Sequence, residues 1–357
     1  MNRIAKLGSS LVACTLAAAA GCNSMSSKPN AEDPMAMAPG MAWRAELAPD
    51  MKAVIDELGM MNPKPIESLE PAEARKQPTP ADAVMALLKK RGMSTEPEKV
   101  GAVKDMQVPG AAGPIAARVY TPSGAGPFPV VVYIHGGGWV IATIDTYDSS
   151  ARALCNAARA VVVSIEYRKG PEAKFPAAHA DAYAAFDWAT KNAASINGNP
   201  NHVDVAGESA GGNMAISVAM MARDKNAVQP KHVLAVYPVA QLGEQTPSIQ
   251  QYASAKPLNT PMLAWFSKYY TNGPADMQNP TINLLKANLQ GLPPTTIVGA
   301  QIDPLQSEGK MLADKMKAAG VDVRYKLYKG VTHEFFGTGA VVPEAKEAVM
   351  YGAEGLK

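Results

Sequence analysis

Ser209 lies in the run GESAGG, Gly207 to Gly212, with a glycine two residues away on either side. Asp303, in QIDPLQSEG, and His333, in GVTHEFFG, follow it in that order. A serine hydroxyl is a weak nucleophile until a base takes its proton, and a carboxylate behind an imidazole keeps that base in its productive tautomer. The chemistry open to such a trio is attack on an acyl carbon. The G-x-S-x-G spacing suits a sharp strand-to-helix turn, because small neighbours relieve a crowded backbone and leave the hydroxyl exposed. AGGNMAISVAMMARDK reads as the helix after that turn, and its N-terminus favours negative charge developing nearby.

Attack on a carbonyl makes an oxyanion, which needs N–H donors already in place. HGGGW, His135 to Trp139, spends three glycines directly after an apolar β-branched run. Glycines let a backbone come close and turn its N–H groups inward. The donors are assigned to Gly136 and Gly137, joined by Ala210 after the nucleophile. A phosphate cradle is the rival use of such a run, but no Gly-Lys-Ser/Thr follows, and G-x-G-x-x-G is not matched at the right place. No cofactor is therefore expected. The five histidines are scattered without metal-ligand spacing, so no metal is expected either. His135 is expected to hold the glycine loop by hydrogen bonding, not to move protons.

These residues need a frame that gathers them. From about residue 98, short β-type runs alternate with helical ones: VGAVKDMQV, PIAARVYTP, PVVVYIH, AVVVSIEY, HVDVAG, HVLAVYP, TTIVGA and VDVRYKLY. The first two flank a Gly/Pro turn and should pair antiparallel. The later Val/Ile-rich runs suit a parallel sheet buried on both faces. The fold class is α/β, an eight-stranded mostly parallel sheet with helices on both faces. Sites in open α/β sheets form outside the carboxyl ends of the strands. His135, Ser209, Asp303 and His333 each follow a strand and so share that edge. His202, His232 and Asp322 precede strands and belong at the other edge, and His179 falls within a helix. Residues 240–290 run longer than a helix crossover needs and read as a covering insertion.

Ahead of this frame, MNRIAKLGSSLVACTLAAAAGC has the basic start, apolar run and small residues of a secretory signal. Its apolar stretch of about 15 residues is short of the ~20 that span a bilayer. AAGC ending at Cys22 resembles a bacterial lipoprotein box, with LVAC at Cys14 the weaker match, so residues 1–21 are expected to be removed and Cys22 lipidated. The protein is then exported and anchored facing the periplasm or exterior; cleavage after an alanine would instead secrete it. Residues 22–42 read as a linker and 43–94 as N-terminal cap helices, leaving 95–357 as the catalytic domain. In TPADAVMALLKKRG, Thr79 caps a helix that Pro80 and Asp82 open and Gly92 follows. With Cys22 acylated, Cys155 is left without a disulfide partner and reads as a small buried hydrophobe. The chain has 357 residues, 47% hydrophobic and 18% charged, with net charge +2. Without a basic stripe, no nucleic-acid partner is expected, and membrane contact only through the lipid anchor. Oligomeric state is not readable.

HGGGW, YRKGPEAKFPAAHADAYAA, GESAGGN, LPPTTIVGAQIDPLQSEG and VTHEFFG stand in the order of a known family. Over residues 95–350 the chain resembles the hormone-sensitive-lipase-like bacterial esterases among the α/β-hydrolases. The resemblance implies Ser209, Asp303 and His333 as triad, the Gly136/Gly137/Ala210 oxyanion hole, and a cap of N-terminal helices and the 240–290 insertion over an acyl pocket. Two residues depart from it: Glu208, where Asp is common, and Ser307, where an acid is common. Trp139, Trp265, Phe266 and Tyr269 are candidates for substrate contact, with cap-to-core packing the alternative use of the cap aromatics. The expected function is a serine carboxylesterase for small, short-acyl esters. An amidase or N-deacetylase would share the triad, and a non-catalytic ligand-binding member of the fold is a third reading, disfavoured by the presence of His333.

Overall fold

The computed structural model describes residues 40–357; the expected signal segment, Cys22 and most of the linker lie outside the described residues. Three helices come first, α1 (Pro49–Met60), α2 (Pro71–Ala74) and α3 (Pro80–Lys90). Thr79 caps α3 through a reciprocal capping box with Asp82, and Pro80 takes the first turn, where its missing N–H costs nothing. The strands are β1 (Ala102–Gly110), β2 (Gly113–Thr121), β3 (Phe128–Ile134), β4 (Val161–Ile165), β5 (Gly198–Glu208), β6 (Val233–Val236), β7 (Thr295–Ile302) and β8 (Val323–Thr332). Between and after them run α4 (Asp148–Ala158), α5 (Ala177–Asn192), α6 (Ala210–Asp224), α7 (Pro247–Gln251), α8 (Thr260–Tyr270), α9 (Pro274–Met277), α10 (Gln306–Ala318) and α11 (Pro343–Ala353).

Among the described residues the eight strands form one sheet, ordered β1-β2-β4-β3-β5-β6-β7-β8. β2 runs antiparallel to both its neighbours, and every other pairing is parallel. The period of two along β3 divides the core. Val130, Val132 and Ile134 face a cluster that includes residues of α5, α6 and α10. Val131 and Tyr133 face the other, with α1, α3, α4 and α11. Cys155 on α4 is buried there and free, its thiol pushed up to about 12 by burial.

The long connection between β6 and β7 holds α7, α8 and α9. Its α8 is clasped to the N-terminal segment: Trp265 Nε1 donates to the Leu69 carbonyl at 2.8 Å, and Tyr269 Oη to Glu70 at 3.0 Å. Arg75, just after α2, donates to the carbonyls of Val140 and Gly170 at 2.9 and 2.8 Å and forks onto Glu172. The N-terminal segment thus grips both the insertion and the segment after the glycine triplet.

Candidate active site

Four turns leave the carboxyl ends of the parallel strands side by side. At the end of β5 the chain folds sharply into α6, and Ser209 takes φ 57° and ψ −117°. A non-glycine residue holds that left-handed backbone only where its surroundings enforce it. Ser209 N donates to the Val236 carbonyl at 2.9 Å, and its own carbonyl accepts from Asn213 N at 3.0 Å and Val239 N at 3.2 Å. Gly211 lets the turn close: a Cβ there would collide with the Ile134 carbonyl and lie 2.7 Å from that of His135.

Ser209 Oγ lies 2.9 Å from His333 Nε2, and His333 Nδ1 donates to Asp303 Oδ2 at 2.7 Å. All three side chains are buried. Asp303 is itself fixed, since its Oδ1 accepts from Leu305 N at 2.8 Å at the start of α10. Burial works against a charged imidazole at His333. Asp303, by charge and hydrogen bond, outweighs it with help from Glu334 and Glu208, and the net effect raises the His333 pKa above 6.5.

The glycine triplet passes beside this trio. A Cβ on Gly136 would sit 3.1 Å from the carbonyl oxygen of Glu208, the residue before the serine. Gly137 has φ +93°, a conformation that suits glycine. Its carbonyl is taken by Val140 N and Ile141 N at 3.0 and 2.9 Å. Among the described residues the N–H groups of Gly136 and Gly137 donate to no other group, and Ala210, first in α6, has no intrahelical acceptor. His135 Nδ1 donates to the Gly136 carbonyl at 2.8 Å, which also accepts from Tyr167 Oη at 2.9 Å. Burial pulls the His135 pKa down to about 4, so this ring is neutral and structural at physiological pH.

A second layer lies behind the trio. Glu208 accepts hydrogen bonds from the hydroxyls of both Tyr133 and Tyr237, and the Tyr237 ring lies 4.5 Å from that of His333. Burial, reinforced by Glu334, pushes the Glu208 carboxyl up to about 7. Ser307 ties α10 to the insertion, exchanging hydrogen bonds with Ser248 at 3.0 and 3.2 Å. His202 and His232 lie at the opposite edge, where His202 Nε2 meets Asp204 at 3.2 Å and His232 Nε2 meets Thr296 at 2.8 Å. His179, inside α5, bonds Tyr270 and Asn213 at 2.8 and 3.0 Å.

The four aromatic candidates differ in what they touch. Trp139 is buried and stacked on Tyr270, ring centroids 4.9 Å apart. Trp265 and Tyr269 spend their polar atoms on the N-terminal segment, as described. Phe266 alone of the four reaches the glycine loop from the cap, its ring packed where a Gly138 side chain would stand. Sequence reading assigned no role around the trio to Tyr133, Tyr147, Tyr237 or Glu334: Glu334 stands inside VTHEFFG, but its Tyr147 partner, like the Glu208 partner of Tyr133 and Tyr237, is distant in the chain. Among the described residues no cluster of His, Cys, Asp or Glu is placed to hold a metal ion, and no helix is long and apolar enough to cross a membrane.

A left-handed serine elbow, an imidazole and a carboxylate in series, and a glycine loop beside them define a hydrolase of the α/β class. A family model described as the alpha/beta hydrolase fold matches residues 131–337. The chain belongs to that family, in its hormone-sensitive-lipase-like bacterial esterase branch. It is 40% identical over 240 residues to the carboxylic ester hydrolase LipN of Mycobacterium tuberculosis, a match covering 65% of this chain and 64% of that one, just under two thirds of its length. It is 30% identical over 320 residues to the ethyl acetate hydrolase of Pseudomonas putida, covering 87% and 98% of the two chains. Among solved structures, the hyperthermophilic esterase from the archaeon Pyrobaculum calidifontis superposes with a TM-score of 0.80 at 35% identity, covering 87% of this chain and 98% of that one.

Proposed function

We propose that the protein is a serine carboxylesterase acting on small, short-acyl esters through Ser209, His333 and Asp303. The observation that carries this is the unbroken series from Ser209 Oγ through His333 to Asp303, at 2.9 and 2.7 Å. Ser209 Oγ attacks the ester carbonyl carbon while its proton passes to His333 Nε2. The carbonyl oxygen takes up the electron pair and accepts hydrogen bonds from the N–H groups of Gly136, Gly137 and Ala210. Collapse breaks the bond to the alkoxy oxygen, which leaves as the alcohol with the proton from His333. Water then attacks the acyl-enzyme, giving its proton to His333, and the carboxylic acid departs as Ser209 regains a proton. Asp303 holds the imidazole tautomer and stabilises the imidazolium throughout.

Two observations support short acyl groups. The ethyl acetate hydrolase is a relative over nearly its whole length, and the Phe266 ring crowds the glycine loop from the cap. The test is hydrolysis of p-nitrophenyl acetate, butyrate, octanoate and palmitate by the purified protein and by Ser209→Ala. Turnover should be highest on the short esters and fall by about 10⁴ or more in the variant. Faster palmitate than butyrate turnover would overturn the size preference. Absence of serine-dependent turnover on any ester would overturn the esterase reading and turn attention to amides.

Export with lipidation at Cys22 is proposed from the signal pattern alone. Mass spectrometry of the mature N-terminus should find a diacylglyceryl-modified Cys22. A terminus cleaved after an alanine and unmodified, or an intact signal, would refute the anchor.

A further inference from the structure

Glu334 follows the base directly, and the reaction sequence above leaves it without a role. Its φ of +66° puts a charged, non-glycine residue in left-handed backbone, a conformation that persists where packing and partners impose it. The side chain is turned inward. The Tyr147 hydroxyl donates to the carboxylate, 2.6 and 2.7 Å from its two oxygens. Oε1 also lies 3.9 Å from His333 Nε2, the nitrogen that faces Ser209. That same Tyr147 hydroxyl packs on the glycine loop, since a Cβ at Gly136 would collide with it. One carboxylate therefore stands at ion-pair distance from the base and, through one hydroxyl, holds the loop that would bind the oxyanion. The two residues that make this link are 187 positions apart in the chain.

We propose that Glu334 is a positioning residue: it yokes the His333 turn to the Gly136 loop through Tyr147 and sets a carboxylate beside the imidazolium that forms during acyl transfer. The inference rests on the serine-esterase reading for its consequence in turnover, and on geometry alone for its contact with His333. Other groups face the same imidazole. Asp303 bonds Nδ1, Ser209 meets Nε2, and the Tyr237 ring packs alongside. Glu208, behind them, is bonded by Tyr133 and Tyr237. Its charge and that of Glu334 both favour the protonated ring. Burial pushes the Glu334 carboxyl up, while His333 and the Tyr147 hydroxyl pull it back toward the charged form. Charge on Glu334 and the proton on His333 are therefore mutually supporting.

The experiment is a pair of measurements on full-length Glu334→Gln and Tyr147→Phe, with circular dichroism to check folding. In kcat/KM against pH for p-nitrophenyl butyrate, Glu334→Gln should move the acid-side midpoint down by about one pH unit. It should also cut kcat by about tenfold with KM little changed, because the lost interaction matters most once the imidazolium forms. Tyr147→Phe leaves the carboxylate in place but removes its hydroxyl donor and releases the loop, so kcat should fall with a downward midpoint shift smaller than that of Glu334→Gln. A shift as large as or larger than that of Glu334→Gln would overturn the assignment of the charge to Glu334. A Glu334→Gln midpoint equal to that of the parent overturns the proposal. NMR titration of the His333 imidazole in Ser209→Ala, with and without Glu334→Gln, reads the same coupling without turnover. A downward shift of about one unit supports it, and none overturns it. Failure of all serine-dependent turnover would sink the esterase reading separately, and the NMR arm would still decide the contact.

Discussion

In the proposed mechanism the His333 imidazole must be neutral to take the Ser209 proton, and its surroundings favour the charged ring. Esterase kcat/KM should therefore rise with pH along a limb whose midpoint lies above 6.5, measurable with p-nitrophenyl butyrate after correction for spontaneous hydrolysis. A limb centred clearly below 6.5 would contradict the arrangement. The same shift favours the fold while His333 is protonated, fully below the unfolded pKa, and that contribution fades as pH rises through the folded value. Glu208 acts in the same sense. Its carboxyl binds a proton more tightly in the fold, where its pKa is about 7, than in the unfolded chain, near 4.5. Native stability from this group is therefore present at low pH and lost as pH climbs between those values. Glu208→Gln, which stays neutral, should raise Tm relative to the parent at pH 8 by about 2–4 °C more than at pH 5. Equal differences at the two pH values would show that the carboxyl is not protonated preferentially in the native state.

At the scale of the elements, the glycine loop is held from outside by a short helix. Arg75 reaches the carbonyls of Val140 and Gly170 from the end of α2. Arg75→Ala should lower kcat/KM by about tenfold through displacement of that loop, since small misplacements in an active site are costly. Parent-like kinetics would mean the loop keeps its place without the clamp. Thr79→Ala should cost about 1 kcal/mol of stability in urea unfolding and leave turnover unchanged, because it removes only the solvent-exposed cap of α3 and none of its buried face. The Thr79 cap and the β1–β2 pairing were readable in advance because each is written within a few residues. The serine elbow and the glycine triplet were readable for the same reason, and the strand-end rule then gathered Asp303 and His333 onto one edge. The tyrosines that hold Glu208 and Glu334 were not. Tyr133, Tyr147 and Tyr237 sit in ordinary apolar or turn sequence, and only the tertiary approach of β3, α4 and the turn after β6 makes them partners. Nor does a sequence show which aromatic of α8 faces the glycine loop, since Trp265, Phe266 and Tyr269 crowd less than two turns of one helix.

Across the whole molecule, the N-terminal helices do not form a separate body. Met51, Val54 and Ile55 of α1 and Leu87 and Leu88 of α3 share one buried cluster with Val131 and Tyr133 of the central sheet. Calorimetry should accordingly give one cooperative transition, and two resolved ones would show that α1–α3 melt independently. The Trp265–Leu69 bond likewise joins two stretches of chain 196 residues apart. Within the same buried cluster, Cys155 offers a different kind of opportunity. Its thiol is sealed inside α4 and held in the unreactive protonated form. An alkylating reagent can capture it only when the sheet parts from that helix. With Cys14 and Cys22 replaced by serine, Cys155 is the one thiol left in the chain, and the rate at which a single alkyl mass is added to it becomes a clock for how often the folded core opens.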